Sequence, residues 1–321
     1  VAVEDQGALT LLIVGEVQTG LLRGGGPVSG DVAGTLVDLV AGEPVRISER
    51  PRSHVRAPEK PVGVDCPLGL PGPARRVRGI GTAWQRAAII DGHVVQGSAY
   101  ATIDRADSST RRPWSHYLSR PGVIESVGRT RWHELADAFA APDQAPDALD
   151  LGGIARQAAD RVQRNSRPSG RPALRAAPTS LRWVVLIEPC DSSPEGIRFA
   201  VHGDQLRVLS LVADVVDPAR FAAVAEDLAL HDWLITVLLE VTRKAAIGVL
   251  PREEVITRLL PAIDYLLHLW LPRADDEMAR VLWSILESRV GFSRQWNTLV
   301  NRVRDQVAAG AVAALSSAIR S

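Results

Sequence analysis

The chain has 321 residues, of which 46% are apolar and 23% charged, and its 37 basic residues balance 37 acidic ones. That composition excludes wholesale disorder and is enough for one large core or two ordinary ones without disulfides or metals. A formal net charge of zero excludes a whole-molecule field toward nucleic acid or anionic lipid, so any electrostatic function is local.

The first apolar run, residues 8–14, is too short for a membrane span, and it follows Glu4 and Asp5 where a signal peptide carries positive charge. Later apolar runs are interrupted by His231, Asp232, Arg258, Asp264 and His268. A cytoplasmic protein with no membrane insertion is expected. The chain opens on Val1 and holds one methionine, Met278, which suggests a GTG start written as valine or a trimmed N-terminus. Its basic residues are arginines apart from Lys60 and Lys244, a bias that codon pressure in a high-GC genome produces by itself.

Residues 9–17 read as a strand running up to a glycine-containing turn. Ser29 then caps a short helix in which Val32, Leu36, Val37 and Val40 recur at helical spacing. Residues 43–74, dense in proline and arginine, read as extended segments and loops. The clearest local signal is a hairpin that pairs residues 79–90 with 93–103 around Asp91-Gly92, a dipeptide suited to the positive φ angles of a two-residue turn. A polar, aromatic loop over 107–131 precedes two helical stretches, the second at 149–164 with Leu151, Ile154, Ala158 and Val162 on one face. A proline- and arginine-rich linker, 165–177, leads to a strand at 181–188 and a second hairpin of 197–202 with 206–213 around Gly203-Asp204. One mainly antiparallel sheet of five or six strands with three flanking helices uses all of these elements.

From Asp217 the period turns helical. Phe221, Val224, Leu228, Leu234, Val237, Leu238 and Val241 share a face, with a break or bend expected near His231. In the next helix, 251–271, a less apolar stripe runs through Glu254, Arg258, Pro261, Asp264 and His268, and Pro261 predicts a kink. Asp275, Asp276 and Glu277 suit the first turn of another helix, and Ser293 caps a last one carrying Trp296, Leu299, Val300, Val303, Val307 and Leu315. The expected class is α+β, with a sheet domain at residues 1–215 and a helical bundle domain at residues 216–321.

No catalytic or cofactor motif assembles. Gly15 to Gly20 has P-loop glycine spacing but is followed by Leu21 and Leu22, where lysine and a hydroxyl are required, and the contiguous glycines 24–26 do not make a dinucleotide fingerprint. Cys66 and Cys190 form no C-x-x-C pair; Cys66 has an adjacent carboxylate and no neighbouring histidine, although His54, His93, His116 or His133 can approach it in space. Asp264 and His268, four apart on a helix, offer half of a metal site with no second half, so neither a metal nor a cofactor is expected. The richest loop is 111–122, where Arg111, Arg112, Trp114, His116, Tyr117 and Arg120 combine guanidinium, indole, imidazole and phenol groups. That mix suits a recognition surface, and it equally suits aromatic anchors holding a loop to the sheet.

Together with Gly63-Val-Asp-Cys-Pro67, the Asp91-Gly-His hairpin and Leu149-Asp-Leu-Gly-Gly153, this loop resembles an uncharacterised actinobacterial protein family of the Streptomyces type. The resemblance spans most of the N-terminal part and is looser in the helical part. It implies a conserved gene neighbourhood that includes a variant P-loop protein and a methyltransferase, and it carries over no catalytic residue.

The leading expectation is a non-enzymatic partner or scaffold protein acting in an intracellular complex, docking another protein through the 111–122 loop or the helical part. A second is an enzyme that takes a small anionic substrate in a cleft between the two parts, using His116, Tyr117, Cys66 and nearby arginines. A third is nucleic-acid binding through the arginines of 46–60, 105–131 and 156–175. The same charge polarity can dock the two parts on each other, since residues 188–290 are net acidic.

Overall fold

The computed structural model describes residues 11–24, 26–49, 52–70, 77–166, 174–188, 196–272 and 277–318. In chain order its elements are β1 (Leu11–Leu21), α1 (Gly30–Val37), β2 (Arg46–Ser48), β3 (His54–Arg56), β4 (Lys60–Pro67), β5 (Arg78–Ile90), β6 (Val94–Arg105), α2 (Trp114–Leu118), β7 (Val123–Val127), α3 (Trp132–Ala140), α4 (Leu151–Asn165), β8 (Thr179–Ile187), β9 (Arg198–His202), β10 (Leu206–Ala213), α5 (Pro218–Lys244), α6 (Arg252–Tyr265), a 3-10 turn (Leu267–Leu269), α7 (Glu277–Arg289) and α8 (Phe292–Ala318). The α+β class is as the sequence implies. Among the described residues no helix is long and apolar enough to cross a membrane.

All ten strands join one sheet, in the order β2-β3-β5-β7-β6-β1-β8-β10-β9 with β4 also on β5. That is more than the five or six expected. The additional strands lie in segments read as loops or extended stretches, because β3, β4 and β7 take their pairing from β5, and β2 from β3, and not from a hydrophobic period of their own. β3 pairs with residues 88–90 of β5 and β4 with residues 78–85. The predicted hairpin forms, with Asp91 at φ 48° and Gly92 at φ 67° in its turn. At its far end the two strands part, and β7 enters between them, antiparallel to β5 and parallel to β6.

Strand alternation sorts β1 between two layers. Leu11, Ile13 and Val17 face a core cluster shared with α5 to α8, while Leu12 and Val14 face a second cluster with α3 and α4. A third, smaller cluster lies under α1. The C-terminal helices therefore lie on one sheet face, with α5 against β1, β6 and β8. On the opposite face α4 crosses β6 at Gly97, where a Cβ would overlap the Ala155 carbonyl. Gly97→Ala is expected to destabilise the protein by about 1–3 kcal/mol through this overpacking, read as a lowered thermal midpoint.

α5 runs unbroken for 27 residues through His231, contrary to the expected bend. The sequence shows a polar interruption because Glu226, Asp227, His231 and Asp232 are all buried, against a sheet face that supplies arginines. Arg86 Nε donates to Glu226 Oε1 at 2.6 Å, Arg56 Nη2 to Glu226 Oε2 at 3.1 Å, and Arg52 Nη2 to Asp227 Oδ1 at 2.8 Å. Arg207 on β10 reaches Asp232 Oδ2 at 2.8 Å and Thr236 Oγ1 at 2.9 Å. Burial alone would raise the Glu226 carboxyl, but Arg86 and Arg56 hold it down at about 2. His231 is pushed down to about 4, chiefly by burial; its Nδ1 donates to the Asp227 carbonyl at 2.6 Å, and its ring meets Trp270 and Trp283 edge-on. Pro261 lies inside α6. Ser293 falls within α8, which begins one residue earlier, and Glu277 opens α7, whereas Asp275, Asp276 and Cys190 lie outside the described residues.

Candidate functional site

The six residues of the 111–122 loop are engaged within the fold. Tyr117 is buried and its hydroxyl accepts from the Arg112 N–H at 3.0 Å; the Arg112 guanidinium lies 3.9 Å from Asp107. Trp114 covers Gly63 of β4 and meets Tyr117 edge-on, and the Arg111 guanidinium sits 5.4 Å from the Trp114 ring centre and 3.2 Å from Asp65. His116 Nε2 and Arg120 Nη1 both lie 2.7 Å from Glu125 Oε1, and Arg120 Nη2 also reaches Asp104 at 3.0 Å. This is the geometry of a loop anchored to β4, β6 and β7. Sequence order alone does not show that Asp65, Asp104 and Glu125 aim back at it.

Cys66 lies on β4, and no hydrogen bond joins it to a histidine among the described residues. Burial foremost, with Asp65 and Asp147 adding, pushes its thiol up to about 11 against the pull of Arg78, so it is not a thiolate at neutral pH. Arg52 and Arg56, two of the arginines grouped at 46–60, are occupied by the α5 carboxylates.

A different set of residues converges beyond the end of β1. There a pocket of about 400 Å³ is bounded by the loop after β1, the start of β6, the outer half of α4, residues 174–178 and Tyr265 of α6. Its walls are fixed by backbone. The Leu22 N–H donates to the His93 carbonyl at 2.7 Å, and Gln163 of α4 accepts from the Arg23 N–H at 2.7 Å while donating to the Leu21 carbonyl at 2.7 Å. Trp233 Nε1 of α5 donates to the Ala177 carbonyl at 3.1 Å, which ties down the 174–178 segment.

Arg23, Arg156 and Arg175 line this pocket against a single carboxylate, Asp160, and none of the three pairs with a carboxylate among the described residues. Three arginines against one carboxylate give this concave surface an excess of positive charge. His93 lines the same pocket, its ring 4.9 Å from Tyr265 and 5.9 Å from His268, centre to centre. Burial foremost, and His268 beside it, lower its pKa against the pull of Asp91, so the ring is neutral at pH 7.

The Asp264–His268 pair expected on one helix does not form, because α6 ends at Tyr265 and His268 sits in the following 3-10 turn. His268 Nε2 instead lies 2.6 Å from Asp91 Oδ2 in the hairpin turn. The three arginines come from separate segments with no shared spacing, so no sequence signal announced the pocket. Asp91-Gly-His93, an acidic and an imidazole group two apart at a tight turn, was the one available cue.

No family model, curated protein or solved structure matches the chain.

Proposed function

We propose that the protein binds a small anionic molecule, bearing phosphate or carboxylate, in the pocket between the end of β1, α4 and α6. The observation that carries this reading is the trio Arg23, Arg156 and Arg175, which lines one open pocket without carboxylate partners among the described residues. The anion would enter between the sheet side of the pocket and Tyr265 from the helical part. Neutral His93 at the wall is placed to accept a proton from, or donate a hydrogen bond to, a bound ligand.

Inorganic phosphate, titrated calorimetrically at low salt, is expected to bind one equivalent. Replacing Arg156 by alanine is expected to weaken binding about ten-fold, the loss of one charge-assisted hydrogen bond, with the melting temperature unchanged. Absence of phosphate binding, or an Arg156→Ala affinity equal to wild type, overturns the reading.

A second reading keeps the expected partner or scaffold role. It is supported by Val312 and Leu315, which are 63% and 65% exposed near the end of α8, and by the gene context that the actinobacterial resemblance implies. Purification from an actinobacterial host is then expected to recover a stoichiometric protein partner that Leu315→Glu releases. A stable monomer accompanied by nothing rules it out.

A further inference from the structure

We propose that Asp91, His93 and His268 form a binding site for one divalent transition-metal ion of the Zn²⁺ type at the edge of the arginine-lined pocket. One ligand atom from each of the three lies within 4.8 Å of the other two. Two imidazoles and one carboxylate make a donor set suited to Zn²⁺ or Fe²⁺, and unsuited to Mg²⁺ or Ca²⁺, which take oxygen ligands.

An ordinary surface ion pair would need only His268 and Asp91. The third group sets this cluster apart: the His93 ring has no hydrogen-bond partner among the described residues, yet a ring nitrogen lies within reach of both other donors. A metal ion in that space satisfies the three groups together.

Both halves are held before any ion arrives. On the hairpin side, the His93 N–H donates to the Ile90 carbonyl at 3.1 Å, the Asp91 N–H to Ser53 at 2.8 Å, and the Val28 N–H to Gly92 at 3.1 Å. Gly92 has φ 67°, and a Cβ there would overlap the Val28 carbonyl, so the turn is clamped by the chain crossing above it. On the helical side Arg52 Nη1 donates to the carbonyls of Leu269 at 2.7 Å and Leu271 at 3.3 Å, fixing the 3-10 turn that carries His268. A preorganised three-ligand site of this kind avoids much of the ordering entropy of binding.

Three protein ligands leave at least one coordination position for water or an anion oxygen. Because His93 belongs to both cluster and pocket, the ion would lie at the pocket's edge. The metal site stands on its own geometry. Only its use in holding an anion beside Arg23, Arg156 and Arg175 rests on the function proposed above.

The test is calorimetric titration of the full-length, metal-stripped protein with Zn²⁺ in phosphate-free, non-coordinating buffer. One equivalent is expected to bind, with His93→Ala and His268→Ala each weakening it by at least about a hundred-fold, since outer-shell partners alone are worth ten- to a hundred-fold. Independently of any variant, ring ¹⁵N resonances of His93 and His268 in the wild type are expected to shift together on Zn²⁺ addition. Absence of Zn²⁺ binding, unchanged affinity in folded variants, unmoved histidine resonances, or Mg²⁺ occupying the site in preference to Zn²⁺ overturns the proposal. Phosphate binding is read in a separate, metal-free titration, so loss of the anion reading and loss of the metal site are told apart.

Discussion

Glu226→Ala is expected to lower the free energy of unfolding by about 3–5 kcal/mol, measured by denaturant titration at pH 7, because it strands buried charge. Arg86, 5% exposed, would keep the partly exposed Glu59 carboxylate and the Tyr100 ring 5.5 Å away, and Arg56 would lose its bond to Glu226. Arg86 Nη2 already has no hydrogen-bond partner among the described residues, so no local group is ready to compensate. Replacing Arg86 by methionine together with Glu226 by leucine is expected to recover most of the loss, since the penalty belongs to the unpaired charge and not to the missing pair. With its carboxyl held at about 2, Glu226 contributes stability that is present above its unfolded value near 4.5 and is lost as the pH falls through about 2.

The second large effect is a pH dependence that His231 carries. Its folded pKa of about 4 lies below the unfolded 6.5, so below pH 6.5 the unfolded chain takes up a proton that the folded chain refuses. Stability from this group is complete above pH 6.5 and is lost as the pH falls toward 4, by about 3 kcal/mol over that window. The groups around it are Asp227, its neighbour on α5, Arg52 from the sheet side, and the rings of Trp270 and Trp283. Asp232 works in the opposite sense, because burial outweighs Arg207 and pushes its carboxyl up to about 6, a contribution that fades as the pH rises through that value. The wild-type profile alone therefore mixes the two. Subtracting the unfolding free energies of His231→Leu from those of the wild type isolates the histidine, and a difference that stays flat between pH 7 and pH 4 would disprove this account.

What the sequence showed and what it concealed divide along physical lines. The Asp91-Gly92 hairpin and the Gly203 hairpin were readable because a short turn declares itself in its own residues, though each connection spans three residues where two were expected. β2, β3, β4 and β7 were not, because a three- to eight-residue strand in proline- and arginine-rich sequence is created by the strand it joins. His231 looked like a break in α5 since a polar group in an apolar face normally marks one. The helix continues because carboxylates and imidazole face arginines across a layer boundary, a relation between residues up to 175 apart. The same remoteness hid the candidate site: His268 meets Asp91 across 177 residues. At 111–122 the sequence shows the recognition chemistry but not the neighbours, Asp65, Asp104 and Glu125, that partner it.

The arginines that α5 covers also bear on the order in which the chain is made. A ribosome delivers β1 to β10 first, and at that stage the face that bears Ile13, Trp183 and Val185, and with it Arg86, has nothing to lie against. Neither half of that surface is stable in contact with water or with itself, one being greasy and the other charged. The opposite face can pack α1, α3 and α4 before α5 exists, but this face is closed only once residue 244, the end of α5, has been made. A chain that stops short of α5 leaves Ile13, Trp183 and Val185 uncovered and Arg86 without Glu226, so the last third of the sequence completes a surface that the first third begins.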